Sequence, residues 1–120
     1  MIWNPCAYDA AHKRSFHAAA RGRLRKLADL LGWPKDSYDL RCNPGGVAVS
    51  GEVTLHSEGA YVQVSQSFLG PDCGILVRAC RGRRDFTGGM NTFAPLDLLD
   101  DLPALADRIR RELVRSRLAA

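Results

Sequence analysis

The spacing of hydrophobic residues in this 120-residue chain changes twice, and each change predicts a different kind of element. Residues 10–31 have helical spacing, because apolar side chains recur every three or four positions: Phe16, Ala20, Leu24, Leu27 and Leu31. Gly32 and Pro34 predict the end of this helix. Residues 102–118 repeat the spacing and predict a second helix, with Asp101 as its N-cap and a helical turn at 95–101 before it.

Between these helices the period is two residues, which is typical of strands with one buried face. Alternation covers 47–55, 61–68 and 74–80, with Gly- and Pro-containing turns between the segments. A short extended piece at 38–42 precedes the turn at 43–46. The sequence therefore predicts an α+β fold in which a three- to four-stranded antiparallel meander follows an N-terminal helix and precedes a C-terminal helix. Both helices are expected on one sheet face, and residues 1–120 are expected to form a single domain.

The other face of the predicted sheet is polar and is a candidate binding surface. The alternation places these residues on it: Glu52, Thr54, His56, Tyr61, Gln63, Ser65 and Arg78. Arg81, Arg83, Arg84 and Asp85 follow the last strand and would lie at its rim. A plain solvated face is the alternative interpretation, because antiparallel sheets ordinarily expose one side to water.

The segment 78–91 combines four arginines with three glycines, a composition that favours an anion-binding loop. Arginine offers a planar fork of donors for phosphate or carboxylate, and glycine lets backbone N–H groups approach such a ligand. On the first helix Arg14, His17, Arg21 and Arg25 recur at helical spacing and form a basic stripe. The loop and the stripe make one two-part site only if they share a surface.

Charge and composition narrow the class of function. The formal net charge is +4, and the first 41 residues supply this excess, with eight Lys and Arg against four Asp. No segment has the roughly 18 apolar residues of a membrane span, and no secretory signal is recognisable, so a cytoplasmic protein is expected. Cys6, Cys42, Cys73 and Cys80 lack zinc-site spacing and are interpreted as reduced. We therefore expect neither a cofactor nor a metal.

These features favour a small basic protein that binds a polyanion, with nucleic acid as the first of three candidate functions and an enzyme as the least favoured. The first is nucleic-acid binding, for which the candidate residues are Arg14, Arg21, Arg25, Arg78, Arg81, Arg83, Arg84, Tyr61 and Gln63. The second is an interaction or inhibitor module that binds an acidic protein surface through its arginines. The third is a metal-dependent nuclease, because Asp39, Glu52 and Gln63 are arranged in a way similar to PD-(D/E)xK nucleases. Ser65 occupies the lysine position of that motif, so no catalytic residue is assigned.

Four segments carry a resemblance to small uncharacterised proteins encoded on bacterial plasmids and integrated mobile elements: 38–41, 49–52, 61–66 and 81–89. The resemblance spans residues 12 to about 100. It implies a role in mobile-element biology, including counter-defence, and it favours nucleic acid or a nucleic-acid-handling protein as the partner. It brings no activity and no catalytic residues.

Overall fold

The computed structural model describes residues 10–46, 49–66 and 69–119, the last three of these by their backbone alone. Its helices and strands are, in chain order, α1 (Ala10–Leu30), β1 (Tyr38–Asn43), β2 (Glu52–Ser57), β3 (Ala60–Ser65), β4 (Ile75–Ala79), β5 (Thr92–Ala94) and α2 (Leu102–Ala119). Short 3-10 turns lie at Pro71–Cys73 and Leu96–Asp100. The predicted α+β class is confirmed. Four positions of the predicted alternation lie outside the described residues: Val47, Ala48, Ser67 and Phe68.

The end of α1 follows from the glycine after it. Gly32 has a φ of 75°, in the left-handed region that glycine occupies without steric cost. Its N–H donates to Asp29 O at 3.0 Å, and the N–H of Trp33 donates to Ala28 O at 2.9 Å. This pair of bonds is a Schellman motif, which satisfies carbonyls left open at a helix C-terminus. The segment 31–37 then connects α1 to β1.

The five strands form one antiparallel sheet in the order β1-β2-β3-β4-β5, so each strand pairs with its neighbour in sequence. The register places Leu55 opposite Val62, and Val62 opposite Val77, on the same face. The prediction of three to four strands missed β5, which pairs Ala94 with Ile75. Three residues are too few to show a period of two.

Both helices contact the sheet and each other, and they pack on its apolar face. The buried core joins the two helices to the inner side chains of the strands: Leu24, Leu27, Val53, Leu55, Val62, Val64, Ile75, Leu105 and Ile109. Full burial of a Leu, Ile or Val side chain stabilises the fold by roughly 1.5–3 kcal/mol. The opposite face of the sheet, called here the outer face, is left for the loop that follows β4.

The outer face carries the predicted side chains, but it is not fully exposed. Tyr61 pairs with His56 on one side and with Arg78 on the other, as the alternation predicted. His56 is 0% exposed and Arg78 is 7% exposed, because the segment after Ala79 folds back over them. The expectation of one open polar surface was therefore wrong for these two residues, and also for Thr54, which is 7% exposed.

Candidate polyanion-binding site

The segment 80–91, called here the arginine loop, is fastened to the outer face by Arg78. The guanidinium donates from Nη1 to Phe86 O at 2.9 Å and from Nη2 to Asp85 O at 3.4 Å. It also stacks over the ring of Tyr61, 4.6 Å from the centroid. Arg78 was a predicted nucleic-acid contact, but its donors already hold the loop in place. Arg78 therefore anchors the loop, and we do not assign it to a ligand-binding surface.

His56 forms the second attachment of the arginine loop. Its Nε2 donates to Gly82 O at 2.9 Å, since a carbonyl only accepts. The imidazole meets Tyr61 and Phe86 edge-on, with centroid distances of 5.1 and 5.2 Å. Burial lowers the pKa of His56 below its ordinary value of 6.5. The sequence placed His56 on this face but gave no sign that a loop would cover it.

Asp85 fills the backbone donors that the glycine-rich segment was expected to offer a ligand. Its carboxylate accepts the N–H of Arg81 at 3.0 Å, of Gly88 at 2.8 Å and of Thr87 at 3.3 Å. These bonds favour the charged form and lower the pKa of Asp85. The loop therefore resembles an anion-binding nest in which the anion is its own side chain.

Arg83 joins the arginine loop to the beginning of β1. Its Nη2 donates to Asp39 Oδ1 at 2.8 Å and its Nη1 donates to Asp36 O, also at 2.8 Å. The hydrogen bond from Arg83, and then the one from Arg41, lower the pKa of Asp39. The charge of Arg83 is therefore already compensated, which reduces its value for an external anion.

Arg81 and Arg84 are the two loop arginines whose side chains have no hydrogen bond or ion pair within the described residues. They are exposed and line a pocket of about 670 Å³. Three carboxylates share that pocket: Asp39, Glu58 and Asp85. Together with Arg83 the pocket holds three cations and three anions, so its formal charges cancel. The pocket therefore offers an anion less net positive charge than the arginine content of the loop predicted.

Tyr61 and Gln63 are beside each other on β3. The Tyr61 hydroxyl donates to Gln63 Oε1 at 2.8 Å, and burial raises the pKa of Tyr61. Arg78 covers one side of the Tyr61 ring, which limits its use as a stacking platform. Phe86 is the more exposed aromatic ring of this region, at 55%, with the Arg41 guanidinium 5.3 Å from its centroid.

The stripe on α1 has a different character. Arg14, Arg21 and Arg25 are exposed, and none of them forms an ion pair within the described residues. Arg21 Nη1 lies 3.9 Å from Cys42 Sγ, and Arg25 lines a pocket of about 400 Å³ with Lys35. We call the four residues Arg14, Arg21, Arg25 and Lys35 the basic flank, because they lie where α1 borders β1. Neither the contact of Arg21 with Cys42 nor the pocket of Arg25 and Lys35 contains an acidic side chain of the described residues.

His17 was part of the predicted stripe but is buried. Its Nε2 lies 2.8 Å from Ser50 O, so the ring attaches α1 to the segment before β2. Lys13 supports the same junction by donating to Pro44 O at 3.0 Å and to Gly46 O at 2.8 Å. These two residues position the basic flank and are not themselves free to bind.

The arginine loop and the basic flank lie on opposite faces of the sheet. The three arginines of the flank belong to the helix that packs on the apolar face, whereas the loop covers His56 and Arg78 on the outer face. The single two-part site considered from the sequence is therefore not formed. Among the described residues, Arg83 links the arginine loop to the chain just before β1 by donating to Asp36 O.

The nuclease arrangement also does not converge. Asp39 pairs with His56 and Glu52 pairs with Asn43, so the two carboxylates lie at opposite ends of the β1–β2 ladder. Four residues of strand separate them by about 13 Å, too far for a shared ion. Among the residues that the structure describes, no group of three His, Cys, Asp or Glu side chains is placed to hold a metal.

The remaining observations concern cysteines, membranes and relatives. Cys42, Cys73 and Cys80 form no disulfide within the described residues, and Cys6 lies outside them. No helix of the described chain has the length and hydrophobicity that a membrane crossing requires.

Comparison of the chain with protein-family models, curated proteins and solved structures found no match.

Proposed function

We propose that this protein binds a polyanion, with nucleic acid as the ligand class, and that the basic flank of α1 is the primary contact surface. The observation that carries the proposal is the set of three exposed arginines that lack a carboxylate partner within the described chain: Arg14, Arg21 and Arg25. A positive helix face of this kind attracts phosphates without further rearrangement.

The dimensions of the flank fit several phosphates. Arg14 and Arg25 are eleven residues apart on one helix, which corresponds to about 16 Å along the axis. Each arginine can donate two parallel hydrogen bonds to one phosphate. These contacts position a backbone and carry no base preference, so we expect affinity without marked sequence specificity.

Arg81 and Arg84 have a secondary role in this proposal. They line a pocket whose formal charges cancel, so they add little net positive field and do not extend the primary surface. Phe86 is the aromatic side chain on that face best exposed for a base. The resemblance to mobile-element proteins is consistent with a nucleic-acid ligand and leads us to propose a role in that setting.

The test is fluorescence anisotropy with labelled duplex DNA, duplex RNA and single-stranded DNA across a salt series. For duplex DNA the slope of log K against log salt is about −0.9 for each phosphate contact. We expect Arg14→Ala/Arg21→Ala/Arg25→Ala to make the slope shallower by about 3 and to abolish binding at 0.15 M salt.

A charge-matched control separates a defined surface from general attraction. Lys26→Ala/Arg111→Ala/Arg115→Ala removes three positive charges elsewhere on the helices, from exposed positions. It is expected to retain most of the affinity. Equal losses in the two triple variants, or no binding of any probe at low salt, would contradict the proposed surface. Loss only in Arg81→Ala/Arg84→Ala would move the site to the arginine loop.

A further inference from the structure

Strand β1 forms one edge of the sheet. On the side of β1 that faces away from β2, no strand pairs with it within the described residues. The backbone bonds from Ser65 N to Gly74 O and from Cys80 N to Gly59 O, each 3.0 Å, fix the hydrogen-bonding phase of the ladder. Odd-numbered residues of β3 bond to β4, so its even-numbered residues bond to β2. Continuing this alternation through the register leaves Tyr38, Leu40 and Cys42 with N–H and C=O groups that point outward.

The opposite edge of the sheet is treated differently. The same alternation directs the N–H and C=O of Phe93 outward from β5. Arg108 Nη2 donates to Phe93 O at 2.7 Å, so a side chain of α2 occupies that edge. Proteins commonly block edges in this way, because a row of unpaired backbone groups can pair with another chain. No comparable contact covers Leu40 or Cys42 in the described part of the chain.

The charges beside β1 indicate which kind of strand would fit. On the helix side of the edge Arg21 contacts Cys42, and Arg25 and Lys35 share a pocket with Tyr38 and Leu40. A second copy of this chain would bring the same cations against each other, which is unfavourable. A strand with acidic side chains at every second position would place them beside these cations.

We propose that β1 accepts an extended acidic segment of a partner protein as a sixth, antiparallel strand. Backbone bonds to Leu40 and Cys42 supply the alignment, and carboxylates on the helix side meet Arg21 and Arg25. The alternate side chains of the segment lie on the outer face beside Arg41 and Asn43 and need no charge. This site does not depend on the proposed nucleic-acid function, but it shares two arginines with it, so the two ligands are expected to compete.

The probe is a labelled, capped peptide of eight residues in which Glu and Thr alternate, titrated against the full chain by anisotropy. In antiparallel addition, the peptide residues whose side chains lie on the helix side are also the ones whose N–H groups point toward β1. N-methylation of the Glu residues is therefore expected to weaken binding by about tenfold or more, whereas N-methylation of the Thr residues leaves it nearly unchanged. A peptide of alternating Lys and Thr is expected not to bind.

Protein variants provide an independent readout. Cys42→Pro removes an outward N–H and no bond of the sheet, and we expect about a tenfold loss of peptide affinity with duplex DNA binding retained. Equal effects of the two N-methylated peptides, or full peptide affinity in Cys42→Pro, would overturn the proposed strand addition. A concentration-dependent dimer in sedimentation that Cys42→Pro dissociates would also overturn it, in favour of a second copy.

Discussion

Arg78→Met tests whether a buried arginine, rather than the loop's own sequence, holds the arginine loop on the sheet. Methionine keeps an unbranched apolar stem of similar length and removes the guanidinium. The substitution deletes the bond to Phe86 O at 2.9 Å, the longer bond to Asp85 O and the stacking on Tyr61. The stem remains packed on the outer face, so the change is confined to the polar contacts.

The expected change in the free energy of unfolding combines the contacts that Arg78→Met removes with the desolvation cost that it relieves. A hydrogen bond from a charged donor is worth about 1.5–3 kcal/mol, and a partly buried cation–π contact adds about 0.5–2 kcal/mol. Against this, the variant no longer has to desolvate a guanidinium whose Nε has no partner within the described residues. The bond to Phe86 O is partly buried and not fully sealed from solvent, so its loss costs less than that of a fully buried bond. We expect a net loss of about 1–3 kcal/mol in the free energy of unfolding.

Two measurements check this expectation. Urea unfolding followed by circular dichroism gives the change in the free energy of unfolding. Limited digestion with trypsin, which cleaves after arginine, reports how often the arginine loop opens. Arg81→Met is the matched control, since it makes the same chemical change at an exposed arginine and should alter stability by less than about 0.5 kcal/mol. An Arg78→Met protein with an unchanged urea midpoint and unchanged cleavage in the loop would refute the role assigned to Arg78.

Two further predictions follow from the same face of the sheet. Gly89→Ala should destabilise the fold by at least about 2 kcal/mol in urea unfolding, because φ is 84° and an added Cβ would clash with Ala79 O. Wild-type stability of Gly89→Ala would contradict the positive φ of Gly89 and its close approach to Ala79 O. His56 has a lowered pKa, so its neutral form favours the fold: the stability it contributes is complete above pH 6.5 and is lost as the pH falls through its lower folded pKa. Urea midpoints at several pH values should show a smaller loss in His56→Gln than in the wild type, and parallel curves would contradict this assignment.

Much of the fold could be predicted because its determinants are local. The alternation in 52–57, 60–65 and 75–79 fixed which side chains share a face, and short turns then fixed the register of the hairpins. Within the described part of the predicted strand 47–55, β2 starts at Glu52, because Gly51 has a φ of 70° and turns the chain. β5 was missed because its place in the sheet depends on pairing with β4 and on no pattern of its own.

The site was less predictable because its interactions are distant in sequence. Arg83 bonds to Asp36 and Asp39, which precede it by 47 and 44 residues, and no spacing rule connects them. The basic face of α1 could be predicted from helical spacing alone, except for His17. That residue is buried by Ser50, which lies 33 residues away. The sequence showed where the arginines cluster, but it did not show which of them bind carboxylates or carbonyls of the same chain.

Asp85 gives the arginine loop a tethered competitor. A free phosphate entering the nest must displace a carboxylate that belongs to the same loop, and a covalently attached ligand has a high effective concentration whatever the solution contains. We therefore expect free phosphate at millimolar concentration to compete poorly for these donors. The masking also depends on one side chain. Replacement of Asp85 by glycine would leave the N–H groups of Arg81, Thr87 and Gly88 converging on an empty position, so the scaffold is one substitution away from an open phosphate site.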